Sequence, residues 1–133
     1  MSELKHARAL LAMAEKDLRA LEGMGDAATF TDEIFGFHAQ QAVEKNLKAW
    51  IATLGQEYPL THNLARLLAL LEEQGAQVGN FWDLTEYTAF AVEFRYGSLD
   101  VSEEPLDRPV VISQVGRLIE WVKGLMEGHR KQG

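Results

Sequence analysis

The residues able to do chemistry in this chain form one polar row, one isolated arginine and a few scattered histidines. His38, Gln41, Lys45 and Lys48 follow one another at steps of three and four, which puts them on one side of an α-helix. Ring nitrogens, an amide and two ammonium groups in a row are donors for an anion such as phosphate. A solvated helix face accounts for the same pattern. Arg95 continues an apolar row of Leu84, Thr88 and Ala91, so its stem lies at a core margin. There it either offsets a helix dipole from the last turn or aims a planar fork at phosphate oxygens.

Other chemistries are not supported. Glu3 and His6 give a Glu-x-x-His pair once, whereas di-iron bundles repeat it on two helices. Zincin spacing is absent. The chain has no cysteine, hence no thiolate ligand, thiol nucleophile or disulfide. Gly23-Met24-Gly25 is too short for a phosphate-cradling loop and lacks the Lys-Ser/Thr pair. Gly-x-Ser-x-Gly is missing, and spacing singles out no carboxylate pair for acid–base work. The sequence therefore implies no catalytic residue, no metal and no cofactor.

Charge and composition narrow the partners. A formal net charge of −7 disfavours a broad phosphate-binding face, so no DNA-binding surface is expected, although a small basic pocket remains compatible. Apolar residues at 47% and charged residues at 25% are ordinary for one globular domain. The N-terminal region is studded with charge and has no long apolar run, which predicts neither a signal peptide nor a membrane span and makes the cytoplasm the expected compartment.

Helices must position these groups. Leu4, Ala7, Leu11, Ala14, Leu18 and Leu21 make one stripe, with Lys5, Arg8, Glu15, Lys16 and Arg19 mostly off it, and Gly23 and Gly25 at its end. A second helix runs from about Asp32 to Leu54, capped by Thr31 or Asp32 and stopped by Gly55. Its inner stripe is Phe35, Ala39, Val43, Leu47, Trp50 and Leu54. Thr61 is placed to cap a third helix bearing Leu64, Leu67, Leu68 and Leu71, ended by Gly75. A fourth begins at Trp82 or Leu84 and ends at Gly97. After an acidic connector, residues 98–107, Asp107 caps a last helix with Pro109 in its first turn and Val111, Val115, Leu118, Val122 and Leu125 inward. No segment alternates with period two. The reading is an all-α, up-and-down bundle of about five helices forming one domain over residues 1–133.

The stretch Phe37-His38-Ala39-Gln40-Gln41-Ala42-Val43-Glu44-Lys45-Asn46-Leu47-Lys48-Ala49-Trp50 resembles the signature helix of bacterial and archaeal HEPN domains. Tyr58-Pro59-Leu60-Thr61-His62-Asn63-Leu64, Glu93-Phe94-Arg95-Tyr96 and the earlier Ala14-to-Leu18 segment follow the same family's order and separations. The resemblance implies a five-helix bundle, often dimeric, frequently encoded beside a minimal nucleotidyltransferase, sometimes as a toxin–antitoxin pair. It also makes His38, Gln41, Lys45, His62, Arg95 and Tyr96 the margins of one cleft for a nucleotide, an RNA or another phosphate-bearing ligand.

One departure matters. HEPN ribonucleases resemble one another in an Arg followed after four to six residues by His. Here Arg95 precedes Tyr-Gly-Ser-Leu-Asp-Val-Ser, with no His before His129. RNA cleavage through the 2′-hydroxyl calls for a proton acceptor, and only Asp100 or a folded-back His38 is at hand. The resemblance thus implies a non-enzymatic or weakly active nucleotide-binding partner of a nucleotidyltransferase. The alternatives are a metal-independent endoribonuclease toxin and a structural adaptor without ligand. Phe37 and Ile51 lie off the inner stripe of the second helix, so an apolar face is left over and a homodimer is expected.

Overall fold

The computed structural model describes residues 2–91 and 105–132, with side chains described from Leu4 to Gly128 within those ranges. Three long helices carry the architecture: α1 (Ser2–Gly23), α2 (Asp32–Thr53) and α4 (Arg108–Gln132). Between α2 and α4 come the shorter α3 (Leu64–Glu73) and a 3₁₀ helix, Gly79–Tyr87. No strand occurs among the described residues. The all-helical bundle read from periodicity is the fold.

Local chemistry sets most boundaries. Thr31 caps α2 by accepting from the Ile34 N–H, and Asp32 and Glu33 stand in its first turn, where the helix dipole favours negative charge. α2 and α3 end alike. Gly55 and Gly75 have positive φ of 77° and 86°, the Gln56 N–H reaches Ile51 O, and the Ala76 N–H reaches Leu71 O. These are Schellman closures, which need the left-handed residue that glycine supplies. Asp107 caps α4 through the Val110 N–H.

Two sequence-based boundaries change. The cap of α3 is Asn63, which accepts from the Arg66 N–H; Thr61 instead turns back to accept from Asn63 N–H. The expected fourth α-helix starts as a 3₁₀ helix. Phe81, Leu84 and Tyr87 recur every three residues and are all buried, a spacing that lines up on one side at three residues per turn. An α-turn begins only at Thr88, whose hydroxyl accepts from the Leu64 N–H at 3.1 Å. The expected end at Gly97 lies outside the described residues.

Contacts fix the topology. Asp17 meets His38 and Lys45 while His6 meets Tyr58, so α1 and α2 run antiparallel. Arg108 lies over Phe35 at 4.8 Å and Trp50 meets Trp121, so α4 runs parallel to α2. It is antiparallel to α1, with Lys123 paired to Glu15. α2 is the central helix, touching α1, α3, the 3₁₀ helix and α4. This corrects the expectation for Ile51. It is 1% exposed and part of the core, because a helix packed on several sides buries more than one stripe. Phe37 is half-buried. The leftover apolar face on which a dimer was expected is therefore reduced.

Candidate functional site

The polar row of α2 is not a solvated face. His38, Gln41, Lys45 and Lys48 are all half-buried, and each is held by a neighbour. Two carboxylates organise them. Asp17, on the edge of α1 turned toward α2, is 9% exposed. It accepts from Lys45 Nζ at 2.8 Å and lies 3.3 Å from His38 Nδ1. Glu44 is buried on α2 and accepts from Lys48 Nζ (2.9 Å), Gln40 Nε2 (2.8 Å) and His62 Nδ1 (2.8 Å). A carboxylate only accepts, so the facing ring nitrogen of His62 carries the hydrogen.

Gln40 knits the second cluster together. It is fully buried, its amide nitrogen also reaches His62 O at 3.3 Å, and its oxygen accepts from Gln41 Nε2 at 2.7 Å. Tyr58 closes the far end. Lys48 Nζ sits 5.3 Å from the centre of its ring, His6 stacks on that ring, and the Tyr58 hydroxyl lies 2.6 Å from His6 Nε2. The fold thus sets His38, Gln41 and Lys45 along one side of α2 and brings His62 to the same helix at Glu44. Arg95 and Tyr96, and Asp100 with them, lie outside the described residues.

Sequence reasoning missed the carboxylates. Gln40, Glu44 and Lys48 stand at steps of four, a ladder legible in one helix. Asp17 gave no such signal, because its partners are 21 and 28 residues away.

Burial alone would raise the Glu44 carboxyl, but the hydrogen bonds from Lys48, Gln40 and His62 outweigh it and hold the group below its ordinary value of 4.5. A depressed folded-state pKa contributes stability above the unfolded value, and that stability is lost as pH falls through the folded one. Urea unfolding from neutral pH downward is therefore expected to show Glu44→Gln less stable than wild type at pH 7, the gap narrowing below about pH 4.5. A gap that stays constant with pH would show that the Glu44 charge plays no part in it.

The arrangement leaves several donors unused. Each lysine spends one N–H on its carboxylate and keeps two, and the second ring nitrogens of His38 and His62 have no partner among the described residues. No group of three or more His, Asp or Glu that could hold a metal occurs among those residues, and none of their helices is long and apolar enough to cross a membrane.

The chain is an all-helical bundle with a charged seam along its central helix. The family model of the HEPN domain matches residues 7–125, nearly the whole chain. The chain belongs to the HEPN family. Neither the curated proteins nor the solved structures yield a match.

Proposed function

We propose that this HEPN protein binds a nucleotide, or another phosphate-bearing ligand, along the α2 seam and serves a minimal nucleotidyltransferase as its non-catalytic partner, in the manner of a toxin–antitoxin pair. The observation that carries the binding reading is the convergence of His38, Gln41, Lys45, Lys48 and His62 on one region, their positions set by Asp17 and Glu44. In the free protein the lysine and carboxylate charges balance, which lets four cationic or ring donors share a half-buried site without mutual repulsion. A phosphate would take up the N–H groups the carboxylates leave unused. The HEPN resemblance adds Arg95 as a bidentate donor and Tyr96 as a surface on which a base stacks. The proposed nucleotidyltransferase partner rests on that resemblance alone.

Calorimetric titration with ATP, GTP and AMP is expected to show modest affinity that falls with salt, because the net charge of −7 repels the ligand at long range. Arg95→Ala removes a charge-assisted bond worth about 1.5–3 kcal/mol, roughly a ten- to hundredfold loss. Gln41→Ala, which leaves both ion-pair clusters in place, should weaken binding to a smaller degree. Absence of binding at millimolar ligand would refute the reading, as would unchanged affinity in both variants.

A further inference from the structure

Two histidines of the α2 seam present the wrong side of the ring to an anion until they are protonated. Nδ1 of His38 lies 3.3 Å from the Asp17 carboxylate, and Nδ1 of His62 lies 2.8 Å from that of Glu44. A carboxylate only accepts, so in each neutral ring Nδ1 carries the hydrogen and Nε2 is left as an acceptor. Neither Nε2 has a hydrogen-bond partner among the described residues, and the two side chains are 32% and 41% exposed. Phosphate oxygens are acceptors too, so a neutral ring and a phosphate meet lone pair to lone pair. A proton on Nε2 reverses this. The ring then carries a positive charge and donates from both nitrogens, one to its carboxylate and one to the anion.

We infer that anion binding in the seam is coupled to proton uptake by His38 and His62, so that the site tightens as pH falls through the histidine range. This regulation belongs to the phosphate site proposed above and stands only if that reading does. Charge points the same way. The charged and titratable groups bonded into the seam are Asp17 of α1 and Lys45 around His38, and Glu44 and Lys48 around His62. Each carboxylate offsets one lysine. The seam is therefore neutral while both rings are neutral and carries two positive charges once both are protonated. Glu44, held below its ordinary carboxyl value, stays ionised across the range of about pH 5 to 8 in which histidine ordinarily changes charge. Position is not what changes, since the Nδ1–H bond to the carboxylate exists in both states. His6 and Tyr58, at the far end, differ: Nε2 of His6 is taken by the Tyr58 hydroxyl at 2.6 Å.

The test is calorimetric titration of the full chain with diadenosine diphosphate at constant ionic strength. Its bridging phosphates hold no proton that titrates in the histidine range, whereas a terminal phosphate does, at about pH 6. Binding is expected to be about tenfold tighter at about pH 5.5 than at about pH 8 for each histidine, about hundredfold in all. Near pH 7, heats in buffers of different ionisation enthalpy should give an uptake of about one proton per ligand, a reading that needs no variant. His38→Gln and His62→Gln keep a donor toward Asp17 and Glu44 but take up no proton. Each should remove about half of the response on a logarithmic scale, and the double variant all of it, with the fold checked by circular dichroism at both pH values. His6→Gln should keep the full response. Absence of binding at both pH values would sink the phosphate reading and this regulation together. Equal binding at both pH values without proton uptake, or a full response in the double variant, would overturn the regulation and leave the phosphate reading standing.

Discussion

Arg108→Ala is expected to destabilise the protein by about 2–4 kcal/mol, chiefly through the two backbone carbonyls it leaves without a donor, at about 1–3 kcal/mol each. Arg108 is 8% exposed, at the first position of α4. Its guanidinium donates to Met24 O and Phe30 O, both at 2.6 Å, and to Asp32 Oδ1 at 2.9 Å, with the Phe35 ring beneath it. Deleting it leaves two backbone carbonyls without these donors and deprives Asp32 of its cation. The other Asp32 oxygen accepts from the Leu106 N–H, so the approach to α4 loosens as well. Arg108→Lys should recover only part of the loss, since one ammonium cannot reproduce the planar fork. Urea unfolding followed by circular dichroism reads the effect. A loss below 1 kcal/mol for Arg108→Ala would show that these bonds contribute little net stability.

Gly36→Leu is expected to cost about 3 kcal/mol, at the upper end of the usual range for overpacking. A Cβ built on Gly36 would overlap the Phe90 ring, which is itself buried. α2 thus approaches the turn after the 3₁₀ helix so closely that no side chain fits between them. Phe90→Ala alone should cost about 3–5 kcal/mol through the cavity it leaves. In the double variant the leucine occupies that space, so the combined loss should fall short of the sum by about 1–3 kcal/mol. Strict additivity in this cycle would mean that Gly36 and Phe90 do not meet in solution.

The ease with which each element was legible follows from the range of the forces that make it. Thr31, Gly55, Gly75 and Asp107 act within a few residues of themselves, so the caps and stops they produce were readable from the chain alone. The inner stripe of α2 was readable too, through Phe35, Ala39, Val43, Leu47 and Trp50. Ile51 was misjudged because a single stripe describes a helix with one packed side, and α2 has several. The 3₁₀ helix was misjudged because the row Leu84, Thr88 and Ala91 has α-helical steps, whereas the residues buried there, Phe81, Leu84 and Tyr87, recur every three. In the seam, the α2 residues His38, Gln41 and Lys45 showed in the spacing. Asp17 did not, since the ion pairs that make it important join α1 to α2. Arg108 was silent for the same reason, as a charged residue beside a proline gives no hint of three acceptors on a distant loop and the helix start that follows it.

The Arg108 clamp also has a consequence in time. Its partner Met24 precedes it by 84 residues, whereas α1 and α2 can pair as soon as their own hairpin is made. A chain emerging from the ribosome therefore carries the α1–α2 hairpin with Phe35 and Trp50 still lacking the α4 side of their packing. That surface stays open until α4 has been synthesised, and at ordinary translation rates the wait lasts several seconds. Completion of the bundle thus waits on α4, and until then the hairpin presents an open apolar side to other chains.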